Sequence, residues 1–211
     1  MVHTPVTSPR QVIPFAMWFC LPPLSVWRRV VFWTLLATFT LGLNPPTTVN
    51  ADSCIHLLTD HGLEDITAWQ TKSNDDFPLF SSLVTHTGEN AAYLAGRNDA
   101  VDRLATLLEL PAASTITLHF WWQLQSEEAQ RFTDKLTILA HPDQARAPQQ
   151  VHELSSRNQS NQWQEAQLDL SAWAGETLQL QFLAQTDAEL VTDFFIDDVT
   201  VVACPQSAAT K

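Results

Sequence analysis

Residues 115–125 read TITLHFWWQLQ, and apolar and polar side chains alternate through them: Ile116, Leu118, Phe120, Trp122 and Leu124 on one side, Thr117, His119, Trp121 and Gln123 on the other. Successive side chains of an extended chain point to opposite faces, so this is a strand with one face in a core and one mostly polar. Residues 177–185 repeat the pattern, with Leu178, Leu180, Phe182 and Ala184 inward and Gln179, Gln181 and Gln185 outward. Such alternation belongs to antiparallel sheets, since parallel strands are covered on both faces and read as unbroken apolar runs. Shorter β-type runs occupy 67–71, 79–85, 91–95, 103–110, 135–140, 151–154, 164–170 and 194–203, and no window carries an apolar repeat of 3.6 through three turns. The fold class is all-β, and about ten strands in one domain require two packed sheets.

The run 194–203 changes phase. Phe194 and Ile196 fit one face, whereas Val199 and Val201 fit the other, so the register slips by one at Asp197-Asp198. A β-bulge reconciles the two halves. The alternative is a strand buried on both faces that exits at the acids. Residues 140–150, with two prolines, read as the longest exposed loop. Gly62, Gly88, Gly96 and Gly175 all fall between strand candidates, where left-handed turns are expected.

The chain has two unlike segments. All 23 acids lie from Asp52 onward, and the first 51 residues hold only Arg10, Arg28 and Arg29 as charges. After those arginines the uncharged stretch 30–43 has the length of a signal-peptide core and is short for a bilayer span. Val49-Asn50-Ala51 presents a signal peptidase with a cleavage site that releases 160 residues starting at Asp52. The alternative is that 30–43 stays as a membrane anchor, and a second apolar patch at 12–24, broken by three prolines, lengthens the leader unusually. The expected organisation is thus a leader over 1–51, a β-sandwich over 52–205 and a disordered tail over 206–211, in a protein that is secreted or held outside the cytoplasm.

Beyond the leader two cysteines remain, Cys54 and Cys204, one near each end of the domain. An even pair in an exported chain implies a disulfide, the alternative being two buried thiols. Eight Lys and Arg stand against the 23 acids in this segment, a net charge near −15. Nothing in it could neutralise a run of phosphates, which excludes nucleic acid as a partner. The membrane enters only through the N-terminal segment.

Five fragments in order carry a resemblance: HGLED…W at 61–69, HTGENAAYLAG at 86–96, LELPAASTITLHFWWQL at 108–124, W…LDLSAWAGETLQLQF at 163–182 and FFIDDVTVVAC at 194–204. Together they resemble the galactose-binding-like jelly-roll modules of bacterial secreted proteins, in particular MAM-like domains and the family 4 and 22 carbohydrate-binding modules. The resemblance implies a two-sheet antiparallel jelly roll and a structural calcium where the first and last strands meet. Its ligands would be Glu64 and one of Asp197 or Asp198, with backbone oxygens near Gly62 and Gly88, an oxygen-rich set of the kind calcium takes. The alternative is four ordinary solvated acids, Glu64, Asp65, Asp197 and Asp198. The resemblance does not carry one shared function, because such modules bind sugars, proteins or nothing known.

Aromatic side chains on the polar faces are the candidates for ligand contact, since flat rings stack on sugars and on cations. Trp121 lies opposite the core face of its strand with His119 beside it, and Trp163 and Tyr93 border turns or strand ends. Structural tryptophans of a sandwich would look the same. No GxSxG, HExxH, P-loop or GxGxxG motif occurs, and the six histidines after residue 52 have no zinc spacing. Adjacent carboxylates such as Glu127-Glu128 and Asp197-Asp198 point to opposite faces of a strand, whereas glycoside hydrolysis needs two that converge. The expectation is a non-catalytic, exported module that recognises a glycan or an extracellular protein, the alternative being a membrane-anchored assembly component without a glycan ligand.

Overall fold

The computed structural model describes residues 53–112, 114–144 and 147–206. The expected leader over 1–51, its apolar stretch 30–43 and residues 207–211 of the expected tail lie outside the described residues. Among the described residues no helix is long and apolar enough to cross a membrane.

The alternating runs become strands of two antiparallel sheets. In chain order these are β1 (Ile55–His56), β2 (Gln70–Ser73), β3 (Phe80–Ser81), β4 (Ala91–Ala95), β5 (Val101–Glu109), β6 (Ser114–Ser126), β7 (Lys135–Pro142), β8 (Gln149–Ser155), β9 (Ser160–Asp169), β10 (Thr177–Gln185) and β11 (Thr192–Pro205). One sheet has the order β3-β4-β11-β6-β9, with β1 also paired to β11, and the other β2-β5-β10-β7-β8. The core lies between them. Leu118, Phe120 and Leu124 from β6 and Leu178, Leu180 and Phe182 from β10 are completely buried, and Phe120 meets Phe182 edge to face at 5.3 Å between ring centroids. Each such side chain gains about 1.5–3 kcal/mol by leaving water, which makes these facing strands the main source of stability.

The phase slip in β11 is a bulge. Asp197 pairs with Trp121 and Thr200 with His119, so two residues of β11 fit opposite Phe120, and Asp198 takes a left-handed φ of 48°. Phe194, Ile196, Val199 and Val201 are thereby all buried. Cys54 and Cys204 form a disulfide across a sequence separation of 150, beside the short β1–β11 pairing.

Four expectations require correction. Residues 67–71 are not one strand: Asp65 caps a 3-10 turn at Ile66–Ala68, accepting from the Thr67 amide at 3.0 Å, and β2 begins only at Gln70. Within 79–85 only Phe80–Ser81 pairs, because the Ser81 hydroxyl accepts from the Leu83 amide at 3.2 Å and turns the chain. The loop expected at 140–150 shrinks to 143–148, because β7 continues through His141 and Pro142 against β10. Gly88, Gly96 and Gly175 adopt left-handed φ, but at the first turn Leu63 does so rather than Gly62.

Candidate functional site

The bulge in β11 collects most of the acids singled out by the resemblance. Asp197, completely buried, accepts at Oδ2 from the His86 amide at 2.7 Å and the Thr87 amide at 3.2 Å, and at Oδ1 from the Asp198 amide at 2.7 Å. Burial pushes this carboxyl above its ordinary value even though three amides favour its charge. Asp198 accepts from the Thr87 hydroxyl at 2.6 Å and from the His86 ring Nδ1 at 2.5 Å. Glu64 reaches the same turn from the opposite side: Oε1 accepts from the Glu89 amide at 2.8 Å and the Asn90 amide at 3.2 Å, and Oε2 from the Asn90 side chain at 3.0 Å. Those amides hold the Glu64 carboxyl below the usual carboxylate range.

These hydrogen bonds tie the 86–90 turn to both ends of the domain, and they test the fit of calcium here. A Cβ on Gly62 would lie 3.9 Å from Glu64 Oε1 and 4.0 Å from Asp198 Oδ1, so two carboxylates face one small space. Carboxylates suit calcium, and Glu64 and Asp198 would be the pair to hold it, with Glu64 Oε1 already accepting two amides and only Oε2 keeping a free lone pair. Asp197 stands behind them and fixes the turn through backbone amides. Gly88 has φ +61°, and a Cβ there would fall 1.9 Å from Glu64 Oε1. Gly88→Ala is therefore expected to cost about 1–3 kcal/mol through left-handed strain and displacement of Glu64. A urea titration of the variant beside the wild type measures it, and equal midpoints would contradict the clamp.

The aromatic candidates separate into two groups. The His86 ring lies 4.0 Å from Trp121, nearly parallel to it, and 5.5 Å from Trp163, edge to face, so it covers one face of Trp121 while holding Asp198. His119, next on the same face of β6, has Nδ1 3.5 Å from Glu165 Oε1. Tyr93 sits apart. It stacks on Phe195 at 5.0 Å, meets Phe77 edge to face and donates to Asp193 Oδ1 at 2.7 Å. Phe77 before β3 and His86 after it thus each lay a ring against the outer face of the six-stranded sheet.

Among the described residues the outer face of the five-stranded sheet is partly exposed, with Leu107 in solvent and Ala105 and Gln181 buried. One row of paired residues crosses it as Gln70, Ala105, Gln181, Leu139 and Gln150, and the next as Lys72, Arg103, Leu183, Thr137 and Glu153. A groove of about 500 Å³ runs there, lined by Lys72, Asn74, Arg103, Leu139, Gln181 and Leu183. Amides on this face already interlock, with Gln181 Nε2 donating to Gln179 at 2.7 Å. Among the described residues neither Lys72 nor Arg103 joins an ion pair. The sequence motifs drew no attention to this surface, although the outward glutamines of 177–185 were visible in its alternation.

Residues 57–205 match the family described as MAM domain, meprin/A5/mu. The chain belongs to the MAM domain family. It is 29% identical over 123 residues to the pre-pro-metalloprotease PrtV of Vibrio cholerae serotype O1, a match covering 53% of this chain and 13% of PrtV. Among solved structures it is similar to TmCBM61 in complex with beta-1,4-galactotriose (TM-score 0.52, 17% identity, 70% of this chain and 97% of that one). It is also similar to the CBM22-1 xylan-binding domain of Paenibacillus barcinonensis Xyn10C (TM-score 0.50, 18% identity, 74% and 99%). At those identities the two likenesses concern the fold, and they agree with the two-sheet jelly roll.

This MAM domain holds two further polar groups that sequence reading missed. Arg97, from the β4–β5 turn, is paired bidentately with the completely buried Asp102, both contacts at 2.8 Å. Glu128, Asp134 and Asp187 form the second group, their ligand oxygens all within 4.8 Å of one another. Glu127-Glu128 was weighed only as an adjacent pair, and its true partners lie across two turns, at a spacing no motif encodes.

Proposed function

We propose that this MAM domain is a non-catalytic recognition module of an exported protein, and that it takes an extended carbohydrate chain across the outer face of the five-stranded sheet. The observation that carries this reading is the groove, where Leu139 and Leu183 lie beside the Gln181 and Asn74 amides and two cations that join no ion pair among the described residues. Amide side chains both donate and accept, which matches sugar hydroxyls. Leu139 and Leu183 offer the apolar surface that a ring's C–H face covers. On a protein of net charge −12, unpaired Lys72 and Arg103 side by side favour a chain bearing carboxylate or sulfate groups. Calcium at Glu64 and Asp198 belongs to this reading as a stabiliser of the 86–90 turn, remote from the sugar. That the TmCBM61 structure contains galactotriose and the Xyn10C module is named for xylan agrees with a glycan as ligand.

Affinity electrophoresis of the intact chain through gels containing acidic and neutral polysaccharides tests the reading. The wild type is expected to be retarded by an acidic polysaccharide, and Arg103→Ala to lose about 10-fold or more in affinity, the worth of one charge-assisted hydrogen bond. Retardation should also weaken as salt screens the contact. Loss of binding in Trp121→Ala with Arg103→Ala unaffected would move the site to the His86–Trp121–Trp163 cluster on the other sheet. Absence of retardation in every gel, with a protein partner recovered by crosslinking, would sink the glycan reading in favour of assembly.

A further inference from the structure

Beyond the ends of β6 and β10 the chain makes two turns that meet. Glu128 follows β6 in the six-stranded sheet, Asp134 precedes β7 in the five-stranded sheet, and Asp187 lies in the connection from β10 to β11. Glu128 and Asp134 are 5% and 0% exposed. Carboxylates this close and this dry repel one another, and the isolated charges are costly to keep out of water. Among the described residues none of the three joins a salt bridge: Arg131, exposed and paired with Glu189 at 3.6 Å, acts on Asp187 only at longer range.

Hydrogen bonds account for most of the six oxygens but not all. Glu128 Oε2 accepts from the Ser156 hydroxyl and from the Thr133 amide, and Asp134 Oδ1 accepts from the Asp187 amide at 2.9 Å. Asp187 Oδ1 accepts from the Glu189 amide at 2.8 Å. The Thr133 hydroxyl lies 2.8 Å from Glu128 Oε1 and 2.6 Å from Asp187 Oδ2, and its single proton can serve only one of them. Asp134 Oδ2 is buried with no partner in hydrogen-bond geometry, and the Thr192 hydroxyl beside it shares its one proton with a 2.7 Å contact to Ser126 Oγ that either oxygen can donate. A completely buried carboxylate that keeps one oxygen without a partner and brings an oxygen within 4.8 Å of those of two other carboxylates is a position that a cation satisfies better than a hydrogen-bond network.

We infer that Glu128, Asp134 and Asp187 bind a hard divalent cation of the calcium class, which fastens the two sheets together at the end of the sandwich where β6 and β10 terminate. Oxygen-only ligands select such an ion over softer metals, and the Thr133 hydroxyl adds a neutral oxygen. Glu128 also lines a surface depression of about 270 Å³ together with Gln130, Arg131 and Glu189, which gives the ion a route in from solvent. This site uses none of the residues of the Glu64–Asp198 junction, so each stands or falls alone.

The test is calorimetric titration of the chelator-treated intact chain with calcium chloride, for the wild type, Asp134→Asn, Asp187→Asn and Glu64→Gln. Asp134→Asn and Asp187→Asn are each expected to remove the same binding event, or weaken it more than about 10-fold, while Glu64→Gln leaves it in place. Asp134→Asn deletes the orphaned charge at constant size, so in chelator its melting temperature should equal or exceed that of the wild type. Calcium should raise the melting temperature of the wild type by more than that of Asp134→Asn. Unchanged calcium binding in both Asp134→Asn and Asp187→Asn would overturn the inference, as would loss of all calcium binding in Glu64→Gln.

Discussion

Joint replacement of Cys54 and Cys204 by serine is expected to lower stability by about 5 kcal/mol, close to the whole margin of an ordinary domain. The bond spans a sequence separation of 150, so the unfolded chain that it closes loses a large share of its conformational freedom. The folded state depends on it locally as well. β1 is only two residues long, and both, Ile55 and His56, are exposed while pairing with the end of β11. Burial does not hold residues 53–56, which are all exposed, and begins only with Leu57 against the core. Without the crosslink, residues 53–57 should fray first, and the Leu57 amide, which donates to the Val201 carbonyl at 2.8 Å, should exchange with solvent at the rate of an open strand. Urea denaturation with and without reductant gives the magnitude, and amide exchange at Leu57 gives the location. If the reduced and oxidised forms unfold at the same urea concentration, the crosslink contributes nothing to the fold.

What was legible beforehand follows from how far each physical rule reaches along the chain. Period-two alternation is a property of neighbours, so 115–125 and 177–185 disclosed their faces correctly, and a break in that period located the bulge at Asp197-Asp198. Cysteine parity, taken with the expectation of export, indicated the Cys54–Cys204 pair without any geometry. The segment 74–90 was opaque for the opposite reason. Either side of β3 it rests on a sheet face through contacts such as His86 on Trp121 and Phe77 on Tyr93, and these impose no period on their own neighbours. Likewise Glu128, Asp134 and Asp187 converge only because β6 and β10 end where β7 begins, and the groove on the five-stranded sheet depends on side chains that neighbouring strands bring together. Tertiary placement, rather than local pattern, creates every surface on which this domain could act.

Arg97→Ala is expected to cost about 3–5 kcal/mol at neutral pH, the penalty for leaving a buried charge without its partner. Arg97 donates to both oxygens of Asp102, to the Ala95 carbonyl, to Ser73 and Asn74 and to the more exposed Asp75, and its guanidinium lies 4.8 Å over the Phe77 ring. One side chain thus joins β2, the β4–β5 turn and the segment that covers the six-stranded sheet. Burial alone would raise the Asp102 carboxyl, but hydrogen bonds from Arg97, from Ser73 and from the Ala95 amide at 2.9 Å outweigh it and hold the carboxyl below its ordinary value. A depressed folded-state value contributes stability that is present above the unfolded carboxylate value, about 3.9, and is lost as pH falls through the folded value. In Arg97→Ala the balance reverses: burial prevails, the carboxyl titrates above its unfolded value, and stability is highest where the acid is protonated. The gap between wild type and variant should therefore be widest at neutral pH and close as the pH falls below about 4. Urea midpoints for both proteins between about pH 3 and pH 8 measure it. A gap that stays constant through that range would mean that Arg97 acts through packing on Phe77 and not through the charge of Asp102.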